Sequence, residues 1–487
     1  MGGQLKMLES CIFVIFGATG DLTHRKLMPA LYRLYVRNEL PKNFAVVGVA
    51  RKDKTHDDFR QDVKKSMAEF LPKEKFDRLD KFLSGVFYYR NDFDTADSYA
   101  GLKKFLEDTD KKYRTAGNRI FYLATLPDKF EPIIKNLRKQ KFLAKGKDHR
   151  LIIEKPFGDD LKSARKLNKI INTAFRENQI FRIDHYLGKE AVQNLFALRF
   201  ANKIFEPAWG ERNIENVQIT LLENTGIGTR GGFYDRYGAI KDVMQNHMMQ
   251  ILSLIAMSPP KNFNPGEVKD SKVKVLREIS IPKKNDIVIG QYRKGALKGS
   301  VDYKDEEGVA KDSRTETFAA IKFCINNERW KGVPFYLKTG KNLDRKLVQI
   351  IVYFRNTSLL SKFSGGIHPN ALIIKLFPDE GIYLRMNIKT PGNNFEIENV
   401  SMDFCHSCLF VINTPEAYEK LLHDIFLGDP TLFTRWDEVE AAWKVIDPVI
   451  AKKKKIRLHY YSSGSPGPEA ADRLVKKNGH HWGLEHM

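Results

Sequence analysis

Cysteine is scarce in this chain. Four occur in 487 residues, two of them as Cys405 and Cys408. That is too few for a disulfide framework, and it suits a reducing cytoplasm. One CxxC without a second pair is thin support for zinc, so no metal is expected. Long apolar runs are missing as well, and no stretch approaches the roughly 18–20 residues needed to span a bilayer. The opening MGGQLKMLES has no apolar region long enough for an export signal, and Lys6 stands where a myristoylation signal would want Ser or Thr. No internal repeat is visible, and low complexity is confined to Lys452–Lys455.

Acidic residues are too few to balance the basic ones. Lys and Arg number 81 against 60 Asp and Glu, a formal charge of +21. Such an excess fits nucleic acid, a membrane surface or small anionic ligands, and sign alone does not choose. The lysines are spread along the chain, and the one dense run lacks the interleaved aromatics of a base-stacking surface. A solvated surface with a few phosphate-binding clefts is the better account, with neither nucleic acid nor membrane as partner.

The length implies two domains, each able to bury a substantial core. Cys11–Phe16 is an apolar run that ends in Gly17-Ala18-Thr19-Gly20-Asp21-Leu22, and Lys26–Tyr35 follows with Leu27, Leu31, Leu34 and Tyr35 at helical spacing. Strands are expected at Ala45–Ala50, Val86–Tyr89, Ile120–Ala124 and Leu151–Glu154, with crossover helices at Asp57–Phe70, Ser98–Asp108 and Phe130–Gln140. This rhythm implies a doubly wound parallel sheet, an α/β fold. After about residue 200 it changes. Strands are expected at Asn216–Leu222, Phe318–Ile325, Val348–Phe354, Ala371–Phe377 and Gly381–Ile388, which implies an α+β part with a large, mostly antiparallel sheet. A long helix is expected over Tyr237–Met257, and Lys261–Asp312 reads as extended surface structure with little core.

Five segments could carry chemistry. The glycine turn after the first strand is shorter than the full dinucleotide fingerprint and is weak alone. As the first strand-to-helix turn of a doubly wound sheet, it would present backbone amides and a helix N-terminus to a pyrophosphate. The second strand ends in Arg51 and Lys52 with no acid before Asp53, which favours a 2′-phosphate over a free ribose hydroxyl. Lys155, in Glu154-Lys155-Pro156, is placed at the carboxyl edge of the sheet, where ligands of open α/β folds collect.

Phe181–Lys189, FRIDHYLGK, gathers a carboxylate, an imidazole and an ammonium. Its strand is expected to end at Asp184. A helix starting near Tyr186 would set His185 and Lys189 one turn apart at an anion-binding end. In Gln245–Gln250, His247 shares a helical face with Asp242, Asn246 and Gln250, a setting in which an imidazole oriented by a carboxylate could remove a hydroxyl proton near pH 7. Asp184 is a candidate for that carboxylate.

Taken together, GATGDLTHRKLMPALYRLY, GVARK, IIEKPFG, FRIDHYLGKE, QNHMMQI and VPFYLKTGK resemble the glucose-6-phosphate dehydrogenase family, in order from about Ile15 to Leu474. The resemblance implies an NADP-binding Rossmann-type domain in residues 1–184, and a β+α substrate-binding and oligomerisation domain in 185–487. It implies oxidation of glucose 6-phosphate at C1, the entry to the pentose phosphate pathway, without a metal. NADP is the implied cofactor, NAD a secondary acceptor, and a homodimer or homotetramer the implied assembly.

His247 then matches the general base and Asp184 its partner. His185, Tyr186 and Lys189 match the phosphate clamp, Lys341 and Lys346 further substrate lysines, and Glu223 and Asp242 contacts to sugar hydroxyls. Gly17, Ala18, Thr19, Gly20, Asp21, Leu22 and Lys26 match the first cofactor turn, and Arg51 the 2′-phosphate arginine. Asp92 and Phe93 match adenine or ribose contacts, and Lys155 a lysine that meets cofactor and substrate. The chain departs from the common pattern at Thr23-His24, between Thr125 and Asp128, and at Pro466. Two rival readings are an oxidoreductase of an unphosphorylated sugar and a non-catalytic NADP-binding regulator. The cationic set argues against the first, and retention of both His247 and Asp184 against the second.

Overall fold

The computed structural model describes residues 8–72, 74–144, 146–356, 364–365, 368–393, 396–405 and 416–483. Lys6, Cys408 and the side chain of Cys405 lie outside these. The chain divides into two compact units, one of Met1–Lys189, Phe263–Lys269 and Thr414–Glu440, the other of Glu190–Asn262, Asp270–Asn413 and Ala441–Met487. No helix among the described residues is long and apolar enough to cross a membrane.

The first unit is built on six parallel strands: β1 (Cys11–Phe16), β2 (Phe44–Ala50), β3 (Val86–Arg90), β4 (Arg119–Leu123), β5 (His149–Ile153) and β6 (Ile180–Arg182). Their order is β3-β2-β1-β4-β5-β6, and each neighbouring pair is parallel. The apolar run of β1 is buried at every position, as a strand covered on both faces must be. The crossover helices fall where spacing placed them, at His56–Phe70, Ser98–Tyr113 and Phe130–Lys139. The first of these starts at a capping box, with the Asp58 N–H donating to Thr55 Oγ1 at 3.1 Å and the Thr55 N–H to Asp58 Oδ2 at 2.9 Å. The helix Ala417–Leu427 also belongs to this unit, its Phe426 ring lying 5.7 Å from Phe13 and 5.5 Å from Phe44.

The second unit holds a sheet of ten strands among the described residues, ordered β12-β15-β14-β13-β11-β7-β10-β9-β8-β16. These are β7 (Ile214–Leu222), β8 (Ile287–Arg293), β9 (Phe318–Cys324), β10 (Pro334–Gly340), β11 (Leu347–Phe354), β12 (Ser364–Gly365), β13 (Ala371–Phe377), β14 (Gly381–Lys389), β15 (Glu396–Cys405) and β16 (Leu458–Ser462). Three pairings, β7 with β10, β8 with β16 and β12 with β15, are parallel and the others antiparallel. The expected fold class therefore holds in both halves.

Three expectations need correction. Lys261–Asp312 is not core-poor: it contains the helix Pro265–Glu278 and β8, and Val273, Leu276, Ile289, Tyr292 and Tyr303 are buried. The lysine-rich composition hides this core, since long lysine stems can lie along apolar surface, and Lys269 and Lys272 are themselves buried. The helix expected over Tyr237–Met257 is three pieces, Gly231–Ala239, a π-helical stretch Ile240–Met248 and Met249–Ala256, with a break at Gly238 (φ 65°, ψ 176°). Lastly, β6 ends at Arg182 and the next helix begins at Glu190. A turn, described below, fills the interval.

Candidate functional site

In the first unit the turn after β1 is held by main-chain bonds. The amides of Gly17 and Ala18 donate to Val49 O, at 2.8 and 3.3 Å, and the Gly20 amide donates to Gly17 O at 2.9 Å. Gly17 has φ 91°, and a β-carbon there would stand 2.3 Å from Ala124 O, so no other residue fits. A π-helical turn, Thr23–Leu27, follows and runs into Met28–Val36. Thr19, Asp21 and Leu22 thus sit at the opening of a helix, where amides without an intrahelical acceptor favour an anion.

Thr125, which follows the Ala124 carbonyl that Gly17 approaches, has a buried Oγ1 with no hydrogen-bond partner. Arg51 is exposed at the end of β2. A close-approach turn, an unsatisfied hydroxyl and an exposed guanidinium suit a dinucleotide with an extra phosphate. Lys26 instead pairs with Glu416 at 3.1 Å. The Asp92 carboxylate accepts from the Asp94 amide and the Thr95 hydroxyl, and the Phe93 ring packs in the core 5.8 Å from Phe16.

Lys155 follows β5 at the carboxyl edge of the same sheet, and its bond to Pro156 is cis. The neighbouring Glu154 carboxylate accepts from the hydroxyls of Tyr122 and, at 3.0 Å, Tyr418. Burial raises its pKa above the usual carboxylate range. Asp184–Lys189 is a turn: Asp184 Oδ1 accepts the Tyr186 amide at 3.0 Å, Asp184 O the Leu187 amide at 3.0 Å, and Tyr186 O the Lys189 amide at 3.1 Å. The carboxylate closes an Asx turn on the amide two residues on, and the chain enters its next helix only at Glu190. The turn gathers two side chains around one ring, with the His185 and Tyr186 centroids 5.0 Å apart and Lys189 Nζ 4.6 Å from the Tyr186 centroid.

In the second unit, Asp242 and His247 lie in the π-helical stretch, where the fifth residue closes the turn. Their spacing of five therefore places them on one face. His247 is buried, and its amide donates to Asn246 Oδ1 at 2.7 Å. At the carboxyl end of β7, Glu223 Oε2 accepts from Lys341 Nζ at 2.6 Å, and Lys341 itself is buried. The two backbones are tied as well, the Glu223 amide donating to Gly340 O at 2.9 Å. Lys346 Nζ rests 4.2 Å from the centre of the Phe377 ring. Tyr234 lies between the groups. Its ring is 5.4 Å from Lys341 Nζ, and its hydroxyl is buried without a hydrogen-bond partner. Burial, then the carboxylates of Asp242, Glu316 and Glu223, push its pKa well above the ordinary phenol value.

Residues 14–194 match the model of the glucose-6-phosphate dehydrogenase NAD binding domain, and residues 196–483 that of the glucose-6-phosphate dehydrogenase C-terminal domain. The chain belongs to the glucose-6-phosphate dehydrogenase family. It is 46% identical to glucose-6-phosphate 1-dehydrogenase of Chlamydia pneumoniae, over 97% of this chain and 96% of that one. To the enzyme of the same name from Bacillus subtilis it is 44% identical, over 97% and 98%. A solved glucose-6-phosphate dehydrogenase in complex with its substrate glucose-6-phosphate superposes with a TM-score of 0.91 at 37% identity, covering 99% of this chain and 100% of that one.

Four residues of this family member escaped sequence reasoning. Thr125 and Tyr418 carry no local motif, and only folding brings Tyr418 to Glu154. Glu316, itself buried, pairs with the partly exposed Lys453 at 2.5 Å. Lys453 belongs to the run taken as solvated, and Lys452 of the same run donates to Pro282 O at 2.7 Å. The signal that could have flagged Lys453 is the apolar Val445, Ile446 and Val449 just before it, which are buried and carry one face of that helix inward.

Proposed function

We propose that the chain is an NADP-dependent glucose-6-phosphate 1-dehydrogenase that oxidises C1 of glucose 6-phosphate to 6-phosphoglucono-lactone, the first step of the pentose phosphate pathway. The observation that carries this reading is the placement of Asp242 and the buried His247 on one π-helical face, in a family member that also keeps the Lys341–Glu223 pair. His247 takes the proton of the C1 hydroxyl, and Asp184 orients the imidazole and stabilises its charged form. Glu223 and Asp242 accept from sugar hydroxyls. His185, Tyr186, Lys189 and Lys346 hold the 6-phosphate, with Lys341 as a further substrate lysine, because an anion of charge near −2 calls for several donors.

Gly17, Ala18, Thr19, Gly20, Asp21, Leu22, Lys26, Asp92 and Phe93 seat NADP, Arg51 pairs its 2′-phosphate, and Lys155 meets cofactor and substrate. Bound NADP accepts the hydride from C1, and NAD serves as a secondary acceptor. Residues 1–184 are the cofactor domain, 185–487 the substrate and oligomerisation domain, and the cytoplasm the compartment.

A homodimer or homotetramer is supported by one face of β14 and β15. Ile382, Leu384 and Met386 stand opposite Phe404, Met402 and Val400, so their side chains share that face. Met386 is 36% exposed, Ile388 46%, Met402 62% and Phe404 38%, an apolar patch of the kind that a partner covers. Initial rates on glucose 6-phosphate and on glucose, each with NADP and with NAD, test the proposal. Turnover is expected on the phosphorylated sugar with NADP preferred. Equal turnover on glucose would refute it.

A further inference from the structure

Glu316, which immediately precedes Thr317 and β9, is 1% exposed. Its two oxygens face different elements. Oε1 accepts the amide of Ile240, the first residue of the π-helical stretch, at 3.2 Å, and the Glu316 carbonyl accepts the Ala239 amide at 2.9 Å. Oε2 receives the Lys453 ammonium at 2.5 Å. Gly238 turns past the same carboxylate with φ 65°, and a β-carbon there would stand 2.5 Å from Oε1, so glycine is required for this approach. Residues 238–240 are thereby fixed on one residue, Glu316, at the point where the chain enters the helix that carries Asp242 and His247.

Stability is a poor reason for this arrangement, because the Lys453 ammonium, 23% exposed, barely offsets the desolvation of a carboxylate that is 1% exposed, and a neutral side chain can cap a helix. Register is a better one. In an α-helix, side chains five apart point about 140° away from each other, whereas in a π-helix the fifth residue closes the turn. Whether Asp242 and His247 share a face therefore depends on how the stretch begins.

We propose that Glu316, held by Lys453, is a positioning residue that fixes the π-register of residues 240–248 and so the aim of His247 and Asp242. This rests on the reading of His247 as general base. The test measures kcat, KM and NADP affinity for Glu316→Ala, for the double variant Glu316→Gln/Lys453→Met, and for His247→Ala. Glu316→Ala should lower kcat on the order of tenfold to a hundredfold, the range expected of a misplaced reacting group, with NADP affinity little changed.

The double variant keeps an amide oxygen for Ile240 and leaves no uncompensated charge. It should retain kcat within about threefold, a rescue that a merely destabilised fold would not give. A Glu316→Ala kcat within about twofold of wild type, or a double variant as impaired as Glu316→Ala, would overturn the proposal. If Glu316→Ala does not fold, Gly238→Ala takes its place with the same expectation. Undiminished kcat in His247→Ala would instead refute the general-base reading, whatever Glu316 does.

Discussion

The two units differ in the material from which their sites are made. Around Gly17 the decisive atoms are main-chain: the amides bonded to Val49 O, and an Ala124 carbonyl where a β-carbon would have to stand. In the second unit they are side chains, namely His247, Asp242, Glu223 and Lys341, carried on an irregular helix and two strand ends. A backbone seat is filled or it is not, and one added side chain closes it. A set of side chains loses function in parts, because each contributes separately to binding or to the transition state.

Gly17→Val is the harshest way to break that contrast. A β-branched residue at φ 91° has neither the conformation nor the space. NADP affinity should fall on the order of a hundredfold or more. Fluorescence titration with NADPH measures this, and an affinity near wild type would remove the turn from the cofactor site.

Lys189→Ala should raise KM for glucose 6-phosphate by about tenfold to a hundredfold with less change in kcat, the worth of a charged hydrogen bond to phosphate. An unchanged KM counts against the clamp. Arg51→Ala should shrink the NADP-over-NAD ratio of kcat/KM by about tenfold, and an unmoved ratio would assign the preference elsewhere.

The smallest effect concerns the fold of the first unit. Burial, with Arg119 alongside, pushes the His149 imidazole from 6.5 down to about 4. Between those values the unfolded chain binds more protons than the folded one, so stability is lost as pH falls below 6.5. From about pH 7 to pH 5.5 that cost is about 1 kcal/mol. His149→Gln should lose correspondingly less over that interval in denaturant titrations, and an identical loss would mean that other groups set the acid sensitivity.

Sequence reading succeeded where one local pattern decides the outcome. The parallel strands are solid apolar runs, and the helices His56–Phe70 and Phe130–Lys139 have apolar residues on one face. The glycine turn and the Arg51 strand end were legible for the same reason. It failed where a side chain closes a local turn, as Asp184 does on the Tyr186 amide, and where helix type changes within one apolar pattern. Asp242 and His247 read as near neighbours on an α-helix, yet it is the π-turn that aligns them.

Strands β8, β10, β12, β15 and β16 were missed: β8 and β16 pair with each other across more than a hundred residues, while β10 and β15 pair with the strands just before them but carry polar or charged residues among their apolar ones. Phe426 in the core of the first unit, and Lys453 on Glu316, depend on contacts more than a hundred residues apart in sequence. No window along the chain contains both members.

The division of labour between the units is tested most directly in His247→Ala, by measuring turnover and NADP affinity on the same preparation. The account predicts kcat lower by about 10² to 10⁴ with NADP affinity within about twofold of wild type. A kcat close to wild type, or an affinity that falls in step with kcat, would contradict it.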